Sequence, residues 1–226
     1  MLQKQAILIC ADRDGTINLD ENFYLGSKPH WKSQLEFLPG VVEGIKLLNR
    51  IPNTKFVIVT NQAGIALEGD EFLSLTEERG HEVNQHIVDE LTKLGCRVDG
   101  YQLCPYVTSA YAKKAADKGR VVAPRYIKDD ARCLKPNIGM LEDAATMFGE
   151  KLENIKKKFV IGDRATDIEM GIRGNCTSVL IESFKTRELG DVEKVLAMQK
   201  DAPPGDILLV ADFLEAARYI ENLCHE

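Results

Sequence analysis

A short apolar run followed at once by two aspartates constrains the fold of this chain more than any other feature. Residues 6–9 (Ala-Ile-Leu-Ile) are strand-sized and apolar, and residues 10–16 (Cys-Ala-Asp-Arg-Asp-Gly-Thr) follow directly. Ligands bind at the carboxyl ends of strands in parallel α/β sheets, so Asp12 and Asp14 are predicted to lie in such a site. Crowded carboxylates favour a bound hard cation such as Mg²⁺. The alternative is an ordinary Asp-Gly turn that caps a helix or closes a hairpin.

Strand-sized apolar runs alternate with helical patterns along nearly the whole chain. Buried strands are predicted at residues 56–59, 159–161, 178–181 and 207–210, and helices at about 41–48, 72–94, 138–148 and 187–200. Alternation of this kind predicts an α/β fold with a doubly wound parallel sheet in three layers. A chain of 226 residues is predicted to form one domain, residues 1–226.

Reactive polar groups recur where the predicted strands end. Thr60 follows the second strand, Lys135 comes after a long insertion, and Asp163 and Asp167 follow the next strand. Because the ends of parallel strands share one edge of a sheet, we expect these groups to converge with Asp12 and Asp14.

The convergent groups match the needs of phosphoryl transfer. Lys135 and Thr60 can hold phosphoryl oxygens, as can backbone N–H groups near Asn61. Mg²⁺ takes oxygen ligands, which Asp12, Asp163 and the backbone carbonyl of Asp14 can supply. One carboxylate can attack phosphorus to form an acyl phosphate, and a second can act as general acid and base.

The insertion at about residues 104–133 is basic in an acidic chain. From Lys113 to Arg132 it holds seven Lys or Arg and three Asp, a net +4, whereas the whole chain has a net charge of −6. One interpretation is a solvated surface loop. The other is a specificity loop that folds over the site and attracts an anionic substrate.

Composition narrows the class of partner. The net charge of −6 gives no support to nucleic-acid binding, and no apolar run is long enough to span a bilayer. No secretory signal pattern is found, and the six scattered cysteines are typical of reduced thiols. We therefore expect a cytoplasmic protein that acts on a small molecule without a nucleic-acid or membrane partner. The sequence does not predict an oligomeric state.

Together these motifs resemble those of the haloacid dehalogenase (HAD) superfamily, over about residues 6–181. The resemblance implies a Rossmann-like sheet, with Asp12 as nucleophile, Asp14 as general acid and base, and Thr60 and Lys135 on the phosphoryl group. It also implies a Mg²⁺ site made by Asp12, Asp14, Asp163 and, in a second or assisting position, Asp167.

Residues 12–18 and 60–64 resemble more narrowly the branch of D-glycero-D-manno-heptose 1,7-bisphosphate phosphatases and histidinol-phosphatases. This resemblance implies a set of substrate contacts: Asp20, Glu21, Asn22, Phe23, Asn61, Gln62, Ala63 and Arg164. The short interval between the first two motifs, partly filled by an irregular flap, implies that no large cap domain is present.

Two features depart from that branch. Its zinc loop has the form Cys-x-His … Cys-x-Cys, but here Tyr106 stands in the histidine position and only Cys104 and Cys133 remain. Two thiols do not complete a tetrahedral site, so zinc is not expected. The branch also carries Arg before the motif lysine, where this chain has Leu134, which removes a forked cation from the substrate site.

The expected function is Mg²⁺-dependent hydrolysis of a small phosphorylated metabolite through an aspartyl-phosphate intermediate. A sugar phosphate such as heptose bisphosphate is the favoured substrate. Histidinol phosphate and nucleotides are alternatives within the same chemistry, and a non-catalytic member that binds a phosphorylated ligand is an alternative of another class. Phosphotransfer between sugars is disfavoured, because it needs a cap that excludes water.

Overall fold

Six parallel strands form the central sheet of the protein, which a computed structural model describes over residues 6–20 and 24–225. Their spatial order is β4 (Gly100–Cys104), β2 (Thr54–Asn61), β1 (Ile7–Ala11), β6 (Lys157–Gly162), β7 (Thr177–Ile181) and β8 (Ile207–Val210). All neighbouring pairs are parallel. β1 lies between β2 and β6, so the carboxyl ends of these three strands are adjacent.

Helices cover both faces of the sheet. On one face lie α1 (Val41–Asn49), α2 (Glu77–Lys93) and α8 (Phe213–His225), and on the other α4 (Gly139–Thr146), α5 (Ala165–Arg173) and α7 (Asp191–Asp201). This arrangement confirms the predicted doubly wound, three-layer α/β fold.

The pleat of β1 explains why its residues are apolar without interruption. Ile9 and Ala11 pack into the core that α1 and α8 cover, whereas Leu8 and Cys10 pack into the core that α4 covers. Successive side chains of a strand point to opposite faces, so a strand covered on both faces has no solvent-facing position. Each large apolar side chain buried in this way contributes about 1.5–3 kcal/mol.

Two predicted helix boundaries are wrong. The helix expected from residue 72 begins at Glu77, because the hydroxyl of Thr76 accepts a hydrogen bond from the N–H of Arg79 (3.1 Å) and caps it. The segment expected to be one helix over 187–200 forms α6 (Phe184–Glu188) and α7, with Gly190 at a φ of 66° between them. A left-handed residue at that position ends one helix before the next begins.

The insertion at 104–133 was predicted to be a loop, but part of it has regular secondary structure. It contains α3 (Ser109–Ala116), and β5 (Val121–Val122) pairs antiparallel with β3 (Leu67–Glu68). The hydroxyl of Thr108 accepts from the N–H of Tyr111 (3.0 Å) and caps α3. Sequence periodicity is too weak in so short a helix to reveal it.

Between β1 and β2, the described residues contain one α-helix, α1, and a short 3₁₀ turn at Trp31–Gln34. This part of the chain therefore forms no cap domain, as expected. Each helix in the described ranges is too short or too polar to cross a membrane.

Candidate active site

The first aspartate is fixed between two strands. The N–H of Asp12 donates to the carbonyl of Ile161 (2.8 Å), which extends the β1–β6 ladder by one residue. The chain then turns, because the carbonyl of Arg13 accepts from the N–H groups of Ile17 (2.8 Å) and Asn18 (3.0 Å). Gly15 takes a φ of 85° in this turn, a conformation that favours glycine. The Asp-Gly sequence is therefore a turn that also positions a buried carboxylate.

Lys135 connects Asp12 with Asp167. Its Nζ donates to Oδ1 of Asp12 (2.5 Å) and to Oδ1 of Asp167 (2.7 Å), and all three side chains are at least nine-tenths buried. Its backbone N–H donates to Oδ1 of Asn61 (3.3 Å), which ties the lysine to the end of β2. Lys135 does not follow a strand as predicted, since it lies in the segment before α4. It reaches the site from a loop.

A hard divalent cation suits the cluster formed by Asp12, Asp163 and Asp167. Ligand atoms of these buried carboxylates lie within 4.8 Å of one another. Oδ1 of Asp163 is buried without a hydrogen-bond partner among the described residues, an arrangement that is costly unless a ligand satisfies it. A Cβ added at Gly15 would lie 2.5 Å from Oδ2 of Asp163, so any residue other than glycine would clash with this carboxylate. An all-oxygen donor set is the one that Mg²⁺ prefers.

Burial and mutual repulsion raise the pKa of two of these carboxyls. Burial raises the pKa of Asp12 to about 7, against the opposing effect of Lys135. Burial, with the charges of Asp12 and Asp167, also raises the pKa of Asp163 well above its ordinary value. Burial would lower the pKa of Lys135, but the two neighbouring carboxylates hold it above its usual range. Added positive charge would therefore be needed to keep all the carboxylates ionised.

Asp14 is held by a separate network. Its carboxylate accepts from Arg13 Nε (2.9 Å) and a terminal nitrogen (2.6 Å), from Gln62 Nε2 (2.8 Å) and from Asn18 Nδ2 (3.1 Å). Burial acts to raise the pKa of Asp14, but the Arg13 guanidinium and these hydrogen bonds lower it. Because this carboxylate is already occupied, the predicted metal contact of Asp14 depends on its backbone carbonyl alone.

Both ends of the Gln62 amide are engaged by protein groups. Its Nε2 donates to Asp14, to the hydroxyl of Thr60 (2.8 Å) and to the carbonyl of Asn61 (3.2 Å), and its Oε1 accepts from Arg13 (2.8 Å). Gln62 therefore orients two predicted catalytic groups in this structure.

A pocket of about 270 Å³ brings most of the predicted residues together. Its volume is just below the range of about 300–1,000 Å³ that is usual for small-molecule sites. Asp12, Asp14, Thr60, Lys135, Asp163 and Asp167 line it, as do the predicted substrate contacts Asp20, Asn61, Gln62, Ala63 and Arg164. The other predicted contacts, Glu21, Asn22 and Phe23, lie outside the described residues. The roles assigned to these residues stay predictions.

Sequence reasoning missed several residues of the site, among them Arg13, Tyr24, Tyr111 and Lys185. The last three line the pocket, and Arg13 lies beneath it, only 1% exposed. The burial of this arginine has no local signature, because two of its three partners among the described residues, Gln62 and Asn84, are distant in sequence. Tyr111 lies on α3, a helix that was not predicted.

The basic side chains of the insertion lie mostly outside the pocket. Lys113 and Lys114 are exposed and do not line it, whereas Arg120 lies against the rings of Tyr24 and Phe72 (5.9 and 5.6 Å to the centroids). These positions favour the interpretation of a solvated surface loop over that of a specificity loop whose basic side chains attract an anionic substrate.

Leu134 is buried in the core that α4 covers, and it brings no cation to the pocket. Cys104 is buried in the same core and Cys133 packs against it, and the interaction of the two thiols raises the pKa of Cys104 and lowers that of Cys133. The absence of zinc stays a prediction.

The family model described as HAD-hydrolase-like matches residues 132–216. Two curated relatives are D-glycero-beta-D-manno-heptose-1,7-bisphosphate 7-phosphatases. That of Pasteurella multocida is 32% identical over 171 residues, 74% of this chain and 76% of the relative. That of Rhodopseudomonas palustris is 30% identical over 158 residues, 70% of this chain and 73% of the relative.

Among solved structures, the D,D-heptose 1,7-bisphosphate phosphatase of B. bronchiseptica, complexed with magnesium and phosphate, is similar in fold. It has a TM-score of 0.67 and 23% identity, over 96% of this chain and 99% of that one. A HAD-like structure from Mesorhizobium loti has a TM-score of 0.66 and 26% identity, over 97% of this chain and 88% of that one.

Proposed function

The chain belongs to the phosphatases of the HAD superfamily, and we propose that it hydrolyses a small sugar bisphosphate of the heptose 1,7-bisphosphate type. The observation that carries this proposal is the meeting of Asp12, Lys135, Asp163 and Asp167 at the floor of one pocket, with Asp14 beside them. The names of the curated relatives support the heptose substrate.

Asp12 is the nucleophile in this proposal. Lys135 holds Oδ1 of Asp12, whereas Oδ2 accepts no hydrogen bond from the described residues and is left to attack phosphorus. The bond from phosphorus to the sugar oxygen breaks as the bond to Asp12 forms, which gives an aspartyl phosphate. Lys135 and the hydroxyl of Thr60 balance the charge of the phosphoryl oxygens.

Asp14 is the general acid and general base in this proposal. It protonates the leaving sugar oxygen in the first step. In the second step it takes a proton from the water that attacks phosphorus, and the bond from phosphorus to the Asp12 oxygen breaks, which releases phosphate and restores the Asp12 carboxylate. The second step needs the ionised form, which Arg13 favours. The first step needs the acid form, which an approaching phosphate dianion favours because like charge raises a carboxyl pKa. Asp12, Asp163 and the backbone carbonyl of Asp14 would hold Mg²⁺, which supplies positive charge opposite the phosphoryl oxygens.

Hydrolysis of p-nitrophenyl phosphate and of a substrate panel tests the proposal. The panel holds heptose 1,7-bisphosphate, heptose 7-phosphate, histidinol phosphate and a nucleoside monophosphate. We expect activity that requires Mg²⁺, is abolished by EDTA and has its highest kcat/KM on the heptose bisphosphate. Hydrolysis of histidinol phosphate or the nucleotide above the heptose would overturn the substrate assignment. If neither the panel nor the aryl phosphate is hydrolysed, the result favours the alternative of a non-catalytic member that binds a phosphorylated ligand.

A further inference from the structure

Two cationic side chains line the pocket beyond the floor that Asp12, Lys135, Asp163 and Asp167 form. Among the described residues, three cationic side chains line the pocket: Lys135, Arg164 and Lys185. Lys135 is already held by two buried carboxylates at the floor. The cations that remain for a second charged group are therefore Arg164 and Lys185.

Lys185 is fixed next to Arg164 by its neighbour in the chain. Thr186 is fully buried, and its hydroxyl donates to the carbonyl of Asp163 (2.9 Å), the residue before Arg164. The capping hydroxyl of Ser183 accepts from the N–H of Thr186 (3.0 Å) and holds the same turn. These contacts place α6 against the β6–α5 connection and bring Lys185 and Arg164 to one wall.

Both cations keep unused donors. Lys185 Nζ donates to the carboxylate and to the carbonyl (3.2 Å) of Asp20, which uses two of its three N–H bonds. Arg164 donates through Nε to the buried carboxylate of Asp191 (2.6 Å), and no described residue accepts from its terminal nitrogens. A half-exposed guanidinium fixed at Nε presents a planar pair of donors that matches a phosphate.

We propose that Lys185, with Arg164, binds the second, non-reacting phosphate of a bisphosphate substrate and thereby selects bisphosphates over monophosphates. This inference rests on the proposed function. Leu134 supplies no cation, whereas Lys185 brings a positive charge to the pocket from α6. Asp20 acts as a positioning residue, because it holds the lysine across the pocket while the third N–H stays available.

Steady-state kinetics on heptose 1,7-bisphosphate and heptose 7-phosphate test the proposal, with the ratio of the two kcat/KM values as the readout. Loss of one charge-assisted contact predicts that Lys185→Gln lowers this ratio about 10- to 100-fold, mainly through KM for the bisphosphate. Lys185→Arg should recover most of the ratio. Arg187→Gln is the matched control, because Arg187 lies on the same helix, is exposed, pairs with Glu182 and does not line the pocket.

A ratio that stays constant in Lys185→Gln, whether both substrates are lost equally or neither is, overturns the inference. A wild-type protein that hydrolyses p-nitrophenyl phosphate with Mg²⁺ but does not prefer the bisphosphate also overturns it and leaves the phosphatase activity standing. A wild-type protein without any Mg²⁺-dependent hydrolysis overturns the proposed function itself. Thermal melts of each variant confirm that the fold is retained.

Discussion

Replacement of Gly15 by alanine tests the link between the first motif and the metal site. Gly15 has a φ of 85°, a left-handed conformation that costs an L-residue about 1–2 kcal/mol. The new Cβ would also lie 2.5 Å from Oδ2 and 2.9 Å from Cγ of Asp163. Asp163 is 1% exposed, so its carboxylate cannot move into solvent to relieve the contact.

Gly149→Ala is the matched control for this substitution. Gly149 has a φ of 74°, and nothing lies within 4 Å of an added Cβ. It therefore carries the backbone strain without the collision, and the lower entropy of the unfolded alanine chain offsets part of that strain. Overpacking in Gly15→Ala adds about 1–3 kcal/mol.

At about 2–4 °C per kcal/mol for a chain of this size, Gly149→Ala should lower Tm by roughly 1–5 °C and Gly15→Ala by roughly 5–15 °C. Displacement of Asp163 should also raise the Mg²⁺ concentration for half-maximal hydrolysis of p-nitrophenyl phosphate at least about tenfold, whereas Gly149→Ala should leave it unchanged. Circular-dichroism melts and Mg²⁺ titrations measure both effects. Equal melts and equal Mg²⁺ dependence for the two variants would refute the role given to Gly15.

Asp12→Asn should lower hydrolysis of p-nitrophenyl phosphate by at least about 10³-fold, because it removes the proposed nucleophile. It should not lower Tm in EDTA, because it removes one of several carboxylates that repel one another. Retained turnover would exclude Asp12 as the nucleophile. Since burial raises the pKa of Asp12 to about 7, the metal-free folded protein holds a proton that the unfolded chain releases near its ordinary pKa. Its Tm in EDTA should therefore fall as the pH rises from about 4 to about 7, and saturating Mg²⁺ should remove this fall; a Tm that rises with pH in EDTA would contradict the assignment. Gln62→Leu should lower kcat about 10- to 100-fold and leave KM within about threefold, because the amide positions Asp14; the opposite split would favour its predicted role as a substrate contact. Asp191→Asn should raise KM for the bisphosphate about 3- to 10-fold, because Arg164 loses its charged anchor; an unchanged KM would remove Arg164 from the substrate site.

The floor of the site is largely predictable because its signals are local. A buried strand of known direction fixes where the next residue lies, so apolar runs that end in Asp12, Thr60 and Asp163 place those groups at one edge of the sheet. Lys135 was also predicted, but from its motif and not from a preceding strand. It reaches the site on a loop, where its backbone N–H donates to the side chain of Asn61. That contact depends on tertiary structure.

The wall of the site could not be predicted because no local pattern encodes it. Asp20 and Lys185 are 165 residues apart, and a lysine in a short polar helix is indistinguishable from a surface lysine until the fold brings it to the pocket. Arg13 is a similar case, since its burial depends on Asn84 and Gln62, which belong to other elements.

This division between floor and wall has a consequence for specificity. In the proposed mechanism, side chains of the floor act on the reacting phosphoryl group, so their replacement should lower kcat on every phosphate monoester. Side chains of the wall are proposed to bind the rest of the substrate, so their replacement should change the order of preferred substrates. A chain can therefore keep the floor of a phosphatase while an apolar residue such as Leu134 replaces a cation, provided that another element returns positive charge to the wall. In this protein the short helix α6, held against the Asp163 carbonyl by Thr186, is the element in the right position to do so.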